Sequence, residues 1–131
     1  MPKFAAPLTA LALALVWTAS SAQAAEFRNY DHANFEQMQA EGRPIVIDVA
    51  AWWCPTCRAQ EPILKKAAAA KEFDQMIVYR LDFDGQKAER RALGAQKQST
   101  LIAYKCAKET ARSVGDTDPA RITALLKSTI A

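Results

Sequence analysis

Trp53-Cys54-Pro55-Thr56-Cys57 lies between two stretches of opposite character. Before it runs Ile45-Val46-Ile47-Asp48-Val49, a near-continuous β-branched stretch of the kind carried by a strand buried on both faces. After it, from Arg58, the chain reads as a helix. A strand that ends in Cys-x-x-Cys at the start of a helix is a redox layout. Unpaired N–H groups and the helix dipole favour negative charge in the first turn, which predicts thiolate character for Cys54 near neutral pH. Cys57, one turn further on, is spaced to close a tight disulfide with Cys54, or to attack one formed between Cys54 and a substrate. Pro55 suits the first turn, where a missing N–H costs little.

Blander roles for the pair are weaker. A structural disulfide across two residues closes a short loop and gains little chain entropy. Half of a zinc site lacks its complement, because the chain has no second Cys-x-x-Cys and only one histidine. A redox-silent relative of a redox fold remains the alternative.

The chain has 131 residues, 24% of them charged, and a formal net charge of +3. That suffices for one domain. The N-terminus reads as a targeting segment: Lys3 is a short basic region, Phe4 to Trp17 is apolar and rich in Ala and Leu, and Ala22-Gln23-Ala24 has the small-x-small pattern of a cleavage site. The expected division is a secretory signal peptide over 1–24 and one domain over 25–131. The apolar run is shorter than the ~20 residues a membrane span requires. No cysteine stands at the cut, which argues against a lipid-anchored form. Loss of Lys3 lowers the formal charge by one, and the remaining basic residues are dispersed among acids. Neither nucleic-acid binding nor stable membrane insertion after cleavage is implied. The three cysteines leave Cys106 outside the pair.

Asp31 is a plausible N-cap for a helix over about 32–41, with Phe35 and Met38 at helical spacing. The strand over 45–49 follows Pro44. A helix from Pro55 to Glu72 contains Pro62, which should kink it. Met76 to Phe83 reads as a strand, Gln86 to Leu93 as a short charged helix before Gly94. Thr100 to Lys105 and Glu109 to Val114 read as a hairpin with Cys106-Ala107-Lys108 at its turn. Pro119 opens a last helix, Ala120 to Thr129. The order is α-β-α-β-α-β-β-α, an α/β mixed sheet with helices on both faces.

This order, with Trp-Cys-x-x-Cys after the first long strand, resembles the thioredoxin family over about residues 27–130. The resemblance implies the thioredoxin-like three-layer fold. It makes Cys54 the attacking cysteine and Cys57 the resolving one. Asp48 stands at the buried acid, Trp53 at the tryptophan before the first cysteine, Pro62 at the kink proline and Arg80 at a lysine near the acid. Thr100-Leu101-Ile102-Ala103-Tyr104-Lys105 is similar to the Thr-Leu-x-x-Phe-Lys strand, and Gly115 to the glycine after the last strand. An acid inside an Ile/Val strand is costly to bury ionised, so the pKa of Asp48 is expected to rise, fitting it to take the proton of Cys57. Trp53, Ser99 and Thr100 are the expected substrate-binding residues. His32, near a helix start, reads as a surface residue without a catalytic role.

Two departures stand out. Thioredoxins carry a cis-proline before the Thr-Leu strand, facing the disulfide; here the residue is Ser99. A non-proline cis bond costs ~2.5–4 kcal/mol, so a trans bond or a remodelled loop is expected. Backbone at this position pairs with the substrate strand in the family. The proline is also thought to discourage metal capture, so its loss opens copper, zinc or an iron–sulfur cluster as an alternative. The second departure is Cys106, expected exposed in the hairpin turn, an incidental thiol or a site of intermolecular disulfide formation.

The implied activity is exported, periplasmic thiol–disulfide exchange, requiring no cofactor. Its expected partners are protein or small-thiol disulfides. Thr56 stands where strong exported oxidants often carry histidine, which favours a reductant recharged by a membrane thiol-transferring protein. The competing reading is a redox-silent or metal-binding module of the same fold.

Overall fold

A computed structural model describes residues 2–4 and 24–131. The expected signal peptide falls on 1–24, of which 1 and 5–23 lie outside the described residues. The elements are β1 (Glu26–Asn29), α1 (His32–Ala40), β2 (Ile45–Ala50), α2 (Pro55–Ala68), a 3-10 turn (Lys71–Phe73), β3 (Ile77–Asp82), α3 (Lys87–Ala92), β4 (Thr100–Lys105), β5 (Lys108–Val114) and α4 (Pro119–Lys127). The strands form one five-stranded sheet in the order β1-β3-β2-β4-β5. β1 and β2 each run parallel to β3, β4 runs antiparallel to β2, and β5 antiparallel to β4.

Alternation along the strands divides the core in two. Ile45, Ile47 and Val49 of β2 join Ile77, Tyr79 and Leu81 of β3 on the face covered by Phe35 and Met38 of α1. The intervening Val46, with Val78, Leu101 and Ala103, packs under Leu64 and Ala68 of α2 and Ile122, Leu125 and Leu126 of α4. Because the side-chain period of a strand is two, Asp48 shares the face of Val46 and points toward α2. It is 8% exposed. A carboxyl on the central strand is thereby placed under the helix that carries the cysteines.

Local chemistry explains the helix ends. The Asp31 carboxylate accepts from the Asn34 N–H at 2.8 Å, capping α1 as its sequence suggests. The Asp118 carboxylate accepts from the N–H groups of Ala120 and Arg121, and Pro119 takes the first position of α4.

The element order gains a strand at its start. β1 is short and alternates half-buried with exposed residues, so its sequence carries no apolar signal. Pairing with β3 makes it a strand. The helix expected to reach Glu72 stops at Ala68, and the chain turns through Ala70, which has extended backbone, into the 3-10 turn. The turn swings Phe73, fully buried, under the sheet. Burial of a phenylalanine is worth about 1.5–3 kcal/mol, more than the propensity gained by continuing the alanine run as helix. The hairpin turn is one residue shorter than expected, because Lys108 pairs with Lys105. Cys106 in that turn is exposed and has φ +52°. No helix among the described residues is long and apolar enough to cross a membrane.

Candidate active site

The end of β2 and the start of α2 place the two cysteines. Cys54 is the N-cap of α2 rather than a member of its first turn, and its Sγ accepts from the Cys57 N–H at 3.1 Å. The sulfur thus occupies the place usually taken by a serine or aspartate oxygen. Both cysteines are free and buried, at 1% and 5% exposure, among Ala50 and Ala51.

Ser99 lies against both sulfurs. Its Oγ is 3.2 Å from Cys54 Sγ and 3.1 Å from Cys57 Sγ. The described residues contain no cis peptide bond, so the bond before Ser99 is trans, and the loop is remodelled by a φ of +59° at Ser99. The Ser99 N–H donates to Val49 O at 2.7 Å, and its carbonyl accepts from the Gly115 N–H at 2.9 Å. Gly115 itself has φ +69°, a conformation that its lack of a Cβ permits. The buried Gln60 amide approaches the same Ser99 carbonyl at 3.5 Å and donates to Asp116 O at 2.8 Å.

These contacts split the two thiols. Burial pushes the Cys54 thiol up, but hydrogen bonds from Cys57, Ser99 and the N–H groups of Cys57 and Thr56 outweigh it and hold Cys54 below the ordinary thiol range. Burial pushes Cys57 up, and its hydrogen bond to Cys54 adds to the rise. One nucleophilic sulfur and one protonated sulfur stand side by side.

Beneath α2, Asp48, Glu61, Leu64, Lys65 and Arg80 line a cleft with Phe27, Arg28, Asn29 and Val78. Asp48 pairs in register with Arg80 across β2 and β3. Burial raises its carboxyl to about 6, Arg80 opposes the rise and Glu61 adds to it. Asp48 Oδ1 is buried without a hydrogen-bond partner. Glu61 contacts Lys65 at 2.9 Å and Arg80 at 3.7 Å. It also stands one helical turn after Cys57, on the same side of α2.

The family profile described as Thioredoxin matches residues 26–128. The chain belongs to the thioredoxin family. A thioredoxin of Chlamydia muridarum is 34% identical over 82 residues, covering 63% of this chain and 78% of that protein. The thioredoxin Asp f 29 of Aspergillus fumigatus is 27% identical over 96 residues, covering 73% and 86%. The crystal structure of Trxlp from Edwardsiella tarda superposes with a TM-score of 0.75 at 38% identity, covering 77% of this chain and 98% of that one. Membership makes the activity thiol–disulfide exchange, with Cys54 and Cys57 as its redox-active cysteines.

Within this thioredoxin, the expected substrate-binding residues fall in different settings. Trp53 is 42% exposed, and its ring meets Phe83 edge-on at 6.3 Å while its Nε1–H donates to Asp84 Oδ2 at 2.7 Å. Ser99 and Thr100 lie inside the fold. Both are buried; the N–H and C=O of Ser99 are engaged within the protein, and the Thr100 hydroxyl donates to Lys97 O at 2.6 Å. His32 is exposed, 3.3 Å from Glu36, and takes no part in the site. Among the described residues, no group of three or more His, Cys, Asp or Glu side chains is placed to hold a metal ion.

Three residues went unseen in the sequence. Glu61 was within reach, since it stands four residues after Cys57 on a predicted helix. Gln60 and Asp84 carry no sequence signal, because their partners lie far along the chain.

Proposed function

We propose that this protein is an exported, periplasmic thioredoxin that reduces disulfides. The Cys54 thiolate attacks a substrate disulfide and forms a mixed disulfide, releasing one substrate thiolate. Asp48 takes the proton of Cys57, and Cys57 attacks the Cys54 sulfur and releases the second thiolate. The observation that carries the reading is the unequal pair of thiols, one held low at the helix N-cap and one raised beside it. The carboxyl at about 6, with an unpartnered oxygen, supports Asp48 as the proton acceptor. Trp53, half-exposed beside Cys54, supplies an apolar surface for a protein substrate. A membrane thiol-transferring protein recharges the dithiol.

Export rests on Lys3, the apolar run Phe4 to Trp17 and Ala22-Gln23-Ala24. Expression of the full chain in a Gram-negative host is expected to yield periplasmic protein beginning at Ala25, read by N-terminal mass spectrometry. Cytoplasmic protein retaining residues 1–24 would overturn this part. The direction is read by equilibration with glutathione. A potential near ~−270 mV supports the reductant, whereas one near ~−120 mV makes it an oxidant.

A further inference from the structure

We propose that the Ser99 hydroxyl is a hydrogen-bond switch in the exchange reaction, donating to Cys54 in the free dithiol and to Cys57 in the mixed disulfide. The proposal rests on thiol–disulfide exchange by the pair and is independent of its direction or compartment.

The geometry requires a choice between partners. A hydroxyl has one proton to donate and lone pairs to accept. Ser99 Oγ is nearly equidistant from the two sulfurs, at 3.2 and 3.1 Å. It is 2% exposed, so bulk water does not compete. Its position is over-determined: the N–H is tied to Val49, the carbonyl to Gly115, and the Gln60 amide closes over that carbonyl. These ties hold serine at φ +59°, a region it seldom adopts. Strain of this kind persists where the surroundings enforce it and gathers at functional sites.

In the dithiol, the Cys57 S–H and the Ser99 O–H both donate to the Cys54 thiolate, with the Ser99 oxygen still 3.1 Å from the Cys57 sulfur. When Cys54 attacks a disulfide, its charge leaves with the departing substrate thiolate. The Cys54 sulfur is then neutral and a weak acceptor. The next anion within reach of the hydroxyl is the Cys57 thiolate as it forms. Rotation about the Cβ–Oγ bond turns the same proton toward it. Cys57 loses its proton to the local base and attacks the Cys54 sulfur. The mixed disulfide breaks and the second substrate thiolate leaves. The two cysteines are oxidised to a disulfide, the substrate disulfide is reduced to two thiols, and Ser99 keeps its proton throughout.

Two substitutions separate the hydroxyl from the backbone. Ser99→Gly removes the hydroxyl and accepts the positive φ, whereas Ser99→Ala removes it and retains the strain. Both are made with Cys106→Ser, which leaves only the pair to react. Stopped-flow reaction with Ellman's reagent reads Cys54 attack as the first release of thionitrobenzoate and Cys57 closure as the second.

A hydrogen bond to a charged sulfur is worth about a tenfold shift in its ionisation. Both variants are therefore expected to raise the apparent pKa of the first phase by about one pH unit. A tenfold smaller thiolate fraction, partly offset by greater nucleophilicity, slows the second phase about threefold at pH 7. Both variants also need about tenfold higher [GSH]²/[GSSG] for half-reduction, a potential about 30 mV more negative.

Equal shifts in the two variants support the proposal. A first-phase pKa within about 0.3 pH unit of the parent, a glutathione midpoint within about twofold, or a second phase as fast as the parent's in either variant would overturn it. A shift in one variant alone assigns the effect to the backbone and also overturns it. If the parent itself releases no second thionitrobenzoate, the exchange reading fails instead, independently of Ser99.

Discussion

Cys57→Ser is expected to accumulate mixed disulfides with its substrates, and Cys54→Ser to accumulate none. The sulfur at the N-cap of α2 is held low and the one beside it is raised, so the first attack belongs to Cys54. With Cys54 gone, the remaining buried thiol is almost wholly protonated at pH 7, and disulfide reduction falls about a hundredfold or more. With Cys57 gone, the first attack proceeds and the complex has no internal route to resolution. Both variants belong in a Cys106→Ser background, so that the exposed Cys106 thiol cannot contribute to the trapped species. Non-reducing electrophoresis after incubation with a disulfide-bearing protein reads the trapped species. Trapping by Cys54→Ser and not by Cys57→Ser would reverse the assignment.

Asp48→Asn is expected to stabilise the fold at pH 8 relative to pH 4 while slowing exchange. Burial raises the Asp48 carboxyl from 3.8 to about 6 on folding. Below about 3.8 the carboxyl is protonated in both folded and unfolded chains, and the fold carries no penalty. Between there and about 6 the unfolded chain releases the proton and the folded chain retains it, so stability falls as pH rises. Above the folded value the loss is complete. The gap between the two values corresponds to about 3 kcal/mol. Asparagine does not ionise, so the variant escapes this loss. Its stability relative to the parent should rise by about 3 kcal/mol between pH 4 and pH 8 in denaturant titrations. The same substitution removes the proposed proton acceptor, and exchange slows by about tenfold or more. Parallel pH–stability curves for the two proteins would mean that Asp48 ionises freely in the fold.

The sequence made the centre of this molecule legible and its edges obscure. β2 announces itself because five consecutive residues from Ile45 are buried and only one of them is polar. That polar residue, Asp48, stands out for the same reason. β1 is invisible by the same criterion, since a four-residue edge strand with two charges needs β3 beside it to exist. The end of α2 was misplaced because Ala67 to Ala70 favours helix locally, and the demand that breaks it, burial of Phe73, is tertiary. At Ser99 the missing proline was plain from the chain. That its hydroxyl reaches both sulfurs depends on a positive φ imposed by Val49, Gly115 and Gln60, all remote in sequence. Trp53 and Asp84 meet across 31 positions for a similar reason.

The helix that carries the reactive sulfur is also fastened by it. Cys54 Sγ accepts the Cys57 N–H as a full N-cap while it is an anion. In a disulfide that sulfur is neutral and accepts weakly, so oxidation exchanges a charge-assisted cap for a covalent tie between Cys54 and Cys57. Chemical state is thereby written into local order. Any partner that grips this turn meets an anion at its cap before electron transfer and a neutral sulfur after it.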